Sequence, residues 1–255
     1  MIRDSKAFVK GAILAVTFWG VMLAIFSPIF GTDANGKGLN GLQFSDNFFN
    51  TLAKGSSYFI PGLKADKIPS VSAEPVKLSY KLKDVKGEDP AKDAKLLANA
   101  KKLADMSGGA SAMIIGDRIE MTANVKVLLE KAAADSEDMY NNDGLSFAGR
   151  YGVEEKEAKP LMKAWWNLLS GMVKELQKQG KNADAESVNQ VIKKAVEPAY
   201  NFYGIKGEKV SERAVTLIGL LVFYVIYTMW WGFSIFFMFE GLGLSTKKAK
   251  VKKEV

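Results

Sequence analysis

GAILAVTFWGVMLAIFSPIF at residues 11–30 and AVTLIGLLVFYVIYTMWWGFSIFFMF at residues 214–239 decide how this chain is organised. A helix of about 20 apolar residues crosses a bilayer core, so each stretch is long enough. They lie near the two ends of a 255-residue chain. Residues 31–213, between them, are charged and polar. The pattern predicts a mainly α protein, with two terminal transmembrane helices flanking an extracytoplasmic helical bundle that holds at most a small β element. Residues 1–10 are then an N-terminal tail and residues 240–255 a basic C-terminal one.

The charge is placed accordingly. Residues 31–213 carry 27 Lys and Arg against 25 Asp and Glu, whereas the two ends carry 8 against 3. Most of the net charge of +7 therefore belongs to the ends. A nucleic-acid-binding protein carries its basic excess on the folded domain, so no nucleic acid is expected. Arg3, Lys6 and Lys10 precede the first span, and Lys247, Lys248, Lys250, Lys252 and Lys253 follow the second. Short basic flanks stay in the cytoplasm. Both termini are thus expected there, with the chain in an inner (cytoplasmic) membrane and residues 31–213 on the periplasmic side. The first apolar run exceeds the roughly 7–15 residues of a signal sequence and is read as an uncleaved anchor. Pro28, near its outer end, is tolerable where regular helical bonds lapse. Glu240 falls just past the second span, at headgroup depth. The lysine-rich tail is expected to attract anionic membrane lipid.

With no Cys and no His, the chain cannot supply a Cys/His zinc site or thiolate ligands for an iron–sulfur cluster. Nor can it build a Ser-His-Asp triad or a Cys nucleophile. Acidic pairs such as Glu154/Glu155 and Asp184/Glu186 read as solvated first-turn residues that favour a helix dipole. Asp33, Asn35 and Gly38 echo a calcium loop, but Lys37 and Phe44 stand where oxygen ligands belong. Gly108-Gly109 lacks the Lys and Ser/Thr of a phosphate loop. No catalytic, cofactor-binding or metal-ligating residue is assigned, and the chain reads as a non-enzyme.

The spans suggest partners. Nine of the 26 residues in the second are aromatic. Tyr and Trp favour membrane interfaces, yet Tyr224, Tyr227 and Trp231 lie near the middle. With Ser234 they recur at helical spacing and share one face, expected to pack on protein. In the first span, Gly11, Ala15, Gly20 and Ala24 are small, and Gly20-x-x-x-Ala24 permits close helix approach.

Within the polar region, residues 31–41 read as a turn. Phe44, Phe48, Phe49 and Leu52 share a helical face that suits either the membrane surface or the domain core. Val76, Leu78, Tyr80 and Leu82 alternate with polar residues, a strand signal, and residues 112–115 are the candidate partner. Helices are predicted after Asp89-Pro90, over about 118–139, after Pro160 and from about Asp184, where Pro198 kinks or restarts the last. Residues 140–152 read as a loop, either a solvated turn or one in which Arg150 and Tyr151 face a partner or small anion. Of the Trp165-Trp166 pair, one is expected in the core and the other at an edge.

Functionally, this describes a structural or accessory subunit or scaffold of a larger membrane assembly, partnered by other membrane proteins or copies of itself. The alternative is an extracytoplasmic ligand-sensing or binding module that signals through a partner protein.

Overall fold

A computed structural model describes residues 2–33 and 36–244. Asn35 and the lysines of the tail lie outside the described residues. The chain is 66% helix and 9% strand. It divides into two compact units, one of residues 1–52 and 208–255 and the other of residues 53–207.

The first unit is built on α1 (Ser5–Phe26) and α10 (Ala214–Gly241), both long and apolar enough to cross a membrane. Asp4 caps α1 by accepting the Lys6 and Ala7 amides. Helix α1 stops two residues before Pro28, as expected from the clash of a proline ring with the preceding helical backbone. The apolar run of residues 11–30 and the helix are thus offset. A bridge between Thr32 and Gly38 closes the following turn. Helix α2 (Gly41–Gly55) then begins against α1, since a side chain at Gly41 would overlap Ile25. Its Phe48 and Leu52 are buried, while Leu42 and Phe49, about a quarter-turn round the helix, are exposed.

The second unit holds the main apolar core. After α3 (Ile60–Gly62) and a π-turn (Leu63–Lys67), β1 (Pro75–Lys81) leads to α4 (Pro90–Met106). The hairpin β2 (Ala110–Ile115) and β3 (Arg118–Asn124) follows. The sheet is antiparallel in the order β1-β3-β2, with Leu78 opposite Met121 and Ala112 opposite Met121 on the other side. The helix expected over 118–139 begins only at Val125. Ile119, Met121 and Ala123 are buried in alternation with polar neighbours, a period of two that suits a strand. Gly116, at φ 63°, turns the hairpin. Asn124 ends β3 and caps α5 (Val125–Tyr140), accepting the Val127 amide at 3.2 Å.

The stretch read as a loop at 140–152 contains α6 (Gly144–Arg150), capped by Asp143. Helix α7 (Ala158–Lys178) crosses the sheet: the Tyr80 hydroxyl donates to the Leu168 carbonyl at 2.7 Å, and Gly171 leaves room for the Tyr80 ring. Helix α8 (Asn182–Val191) widens into a π-turn (Ile192–Val196) and restarts as α9 (Glu197–Asn201) at Pro198. Trp165, Phe147, Leu103, Leu128 and Met162 are fully buried among these elements. The outer edge of β2 is guarded by Asp105 of α4, whose carboxylate accepts the Ala112 amide at 2.8 Å and pairs with Lys101. A charge placed at a strand edge blunts strand addition there.

Candidate functional site

Four constellations stand out: the α1–α10 seam, a buried carboxylate and a buried ammonium in the second unit, and a charged groove on that unit.

In the seam, Arg3 and Asp4 donate their amides to the Gly241 carbonyl, so the helices run antiparallel with the start of α1 beside the end of α10. Two glycines set the approach. A Cβ on Gly11 would lie 2.6 Å from the Met238 nitrogen, and one on Gly241 would lie 2.6 Å from Phe8. The Ser234 hydroxyl donates to the Gly11 carbonyl at 3.0 Å and the Trp230 indole N–H to the Leu14 carbonyl at 3.1 Å. Phe18 is sandwiched by Tyr227 and Trp231, each 4.7 Å away between ring centroids. The Tyr227 hydroxyl meets the Met22 sulfur at 3.0 Å.

The residues singled out from the sequence divide. Ser234, Tyr227 and Trp231 lie in the seam. Tyr224 is 65% exposed, and Gly20 and Ala24 are exposed with open space around Gly20. Close approach happens earlier on α1, at Gly11. The reason is geometric: small residues at both Gly11 and Gly20 satisfy a spacing rule, and only the partner helix selects between them.

Arg150 and Tyr151 do not face outward together. Tyr151 is buried, and both side chains turn toward Asp135, which is fully buried on α5. One Asp135 oxygen accepts from Arg150 at 2.8 Å and lies 3.6 Å from Lys131. The other accepts the Trp165 indole N–H at 2.9 Å and the Tyr151 hydroxyl. Arg150 also pairs with Asp138. Burial, then the neighbouring Asp135 charge, drives the Tyr151 hydroxyl far above its ordinary value, so it remains a donor. Buried charge is tolerated only when paired and hydrogen-bonded, and this carboxylate is saturated on both oxygens. Its geometry is that of a structural clasp between α5, α6 and α7.

A second clasp sits at Lys54. Its ammonium donates to the Asn142 side-chain oxygen at 2.9 Å and to the carbonyls of Phe202 and Ile205 at 3.1 and 2.6 Å. Burial lowers its pKa. Asn142 adopts φ 64° and takes the Gly204 amide as well. Neither Asp135 nor Lys54 stands out in the sequence, because one Asp or Lys in a helical pattern looks like any solvated charge.

The groove runs between the loop after β1, the first turns of α4, and α7 and α9. It comprises two cavities of about 500 and 420 Å³ that share Asp84, Lys163 and Tyr200. At the shared point Lys163 pairs with Asp84 at 3.1 Å, and the Asn167 amide reaches the same carboxylate oxygen at 3.3 Å. Burial alone would raise the Asp84 carboxyl, but the Lys163 and Asn167 hydrogen bonds outweigh it and hold the group below the usual carboxylate range. Trp166 lines one end, donating its indole N–H to Glu197 at 3.0 Å with the Lys83 ammonium 4.6 Å above its ring. Lys159 lies 5.7 Å from the Tyr200 ring. Trp165 is thus the core member of its pair and Trp166 the edge one. Among the described residues, no three Asp or Glu converge as a metal-holding group.

No family model, no curated protein and no solved structure matches the chain.

Proposed function

We propose that the chain is an integral protein of a cytoplasmic membrane. In this reading α1 and α10 cross as an antiparallel hairpin, both termini are cytoplasmic, and residues 31–213 lie outside. It acts as a non-catalytic accessory subunit or scaffold of a larger membrane assembly. Several features support the membrane reading. The most apolar windows of the two helices are 11% and 0% buried, whereas a core helix of a soluble domain would be mostly enclosed. The seam engages α1 from Phe8 to Met22, so removal of α1 as a signal would strip α10 of its packing. Arg3, Lys6 and Lys10 cluster at the end where α1 starts and α10 finishes, as the positive-inside rule asks.

The observation that carries the subunit reading is Tyr224. It lies about 15 Å along a helix about 42 Å long and points away from α1. Its hydroxyl meets no partner among the described residues. An unpaired hydroxyl in an apolar surround costs about 1–3 kcal/mol by protein mutational data, and a neighbouring protein helix relieves that cost. The test is native purification from source membranes in mild detergent, with mass spectrometry of whatever co-migrates at constant ratio. A defined set of other membrane proteins is the expected result. Migration as a lone chain would remove the subunit reading and leave the alternative, a membrane-anchored binding module, which the groove at Asp84 favours.

A further inference from the structure

We infer that the groove along Asp84, Lys163 and Tyr200 binds a small organic anion, one that carries a phosphate or carboxylate beside a ring or apolar portion. The inference goes beyond the subunit reading and stands on residues 53–207 alone.

It rests on which charges the groove already pairs within itself. Four of the carboxylates in its walls are engaged. Asp84 holds Lys163, Asp89 holds Lys92 at 2.9 Å, Asp93 accepts the Gly87 amide at 2.7 Å, and Glu197 accepts from Trp166. Lys95 is drawn to Glu157 at 2.7 Å, at the rim. Three ammonium groups form no ion pair among the described residues: Lys83, Lys86 and Lys159, of which Lys86 lies near enough to Asp84 to favour its charged form. Glu88 is the one lining carboxylate left over. Two of those lysines are held over aromatic rings, Lys83 over Trp166 and Lys159 over Tyr200. A cation–π contact at an exposed site is worth about 0.5–1 kcal/mol, less than a charge-assisted bond to an anion. These ammonium groups are therefore positioned near the cavity yet free to turn to a ligand.

The walls also select shape. Trp166 and Tyr200, the latter 37% exposed, give flat apolar surface at and beyond the shared point. The two cavities together have the size of small-molecule sites, about 300–1,000 Å³. A bare inorganic ion would leave the ring surfaces uncovered, and a neutral aromatic would leave Lys83 and Lys159 unanswered.

The test uses the full chain in a non-ionic detergent, with phenyl phosphate as the probe. Calorimetry measures affinity, and the Trp166 indole N–H signal, assigned with Trp166→Phe, reports the site. The expected result is saturable binding that shifts the Trp166 signal, is weaker for inorganic phosphate and is absent for benzyl alcohol. Lys83→Gln and Lys159→Gln should each weaken it about fivefold or more, while Lys174→Gln, on an exposed turn of α7 that does not line the groove, should not. Displacement by dihexanoyl phosphatidylglycerol would trace the anion to a lipid headgroup, and failure to displace would trace it to a soluble compound; both retain the site. Equal binding of benzyl alcohol would overturn the inference. So would an unmoved Trp166 signal, or wild-type affinity in both groove variants.

Discussion

Replacing Asp135 by Asn tests whether the buried clasp holds the second unit together. The amide is nearly isosteric, so no cavity forms. It keeps one acceptor, which can serve Tyr151 and Trp165, but its NH2 then faces Arg150 and Lys131, donor against donor. Removing one partner of a buried ion pair costs about 3–5 kcal/mol. The Arg150 side chain is 37% exposed and retains Asp138, which places the expected loss near the lower bound, about 3 kcal/mol. For a domain of roughly 150 residues that lowers Tm by about 6–12 °C. The assay is a thermal melt of the detergent-solubilised full chain followed by near-UV circular dichroism, where buried Trp165 reports the second unit. Asp135→Leu should cost more, because it also orphans the Tyr151 hydroxyl and the Trp165 indole. The combined Asp135→Leu, Arg150→Met, Tyr151→Phe variant should recover part of that loss, since removing both sides of a buried pair spares the desolvation penalty. Asp135→Asn melting at the wild-type temperature would refute the reasoning, showing that the carboxylate charge contributes nothing to the fold.

Other outcomes follow from the same geometry. Lys54→Met strands the Asn142 oxygen and two carbonyls, so hydrogen exchange at residues 202–205 should quicken, corresponding to about 2 kcal/mol of local stability; unchanged protection there would count against the clasp. Gly11→Val should separate α1 from α10, and Gly20→Val should not; maleimide cross-linking between cysteines placed at Met22 and Tyr227 reads the difference. Acid should weaken the second unit through Glu137 and Asp84. Hydrogen bonds from Lys64 and Tyr58 hold Glu137 below its ordinary value, as Lys163 and Asn167 do Asp84. Their stabilisation is present above the unfolded carboxylate range of about pH 4 and is lost as pH falls through the lowered folded values. Denaturant titrations at a series of pH values should therefore show Glu137→Gln with a flatter acid limb than wild type. At the other extreme, the hydrogen bond to Glu137 pushes Tyr58 up to about 12. Its stabilisation is complete below about pH 10 and is lost as pH rises through the raised value, so Tyr58→Phe should flatten the alkaline limb, to which Tyr203 also contributes.

Elements with a strong local period are legible in the sequence. The apolar runs mark α1 and α10, Asp89-Pro90 marks the start of α4, and Val76 to Leu82 mark β1. The β2–β3 hairpin is half hidden. Ile119, Met121 and Ala123 alternate, but they run straight into the apolar face of α5, and a helix period absorbs them until Asn124 is seen as a cap. Residues 140–152 look like a loop because Gly, Asn and Asp recur there; α6 forms because Phe147 and Ala148 find the core. Propensity is a weak prior that such packing overrides.

Sequence alone determined what is additive along the chain: two long apolar helices, a near-neutral region between them, and the chemistry that a chain without Cys or His cannot perform. Tertiary structure decided what depends on partners distant in sequence. It selected Gly11 over Gly20, since only the facing helix defines where backbones meet. It turned Tyr151 inward to Asp135, and it brought Lys83 to Trp166 and Lys159 to Tyr200 at the rim of one groove. A side chain's charge is fixed by its identity, but whether that charge is already paired or still available is fixed by its neighbours, and these come from separate segments of the chain.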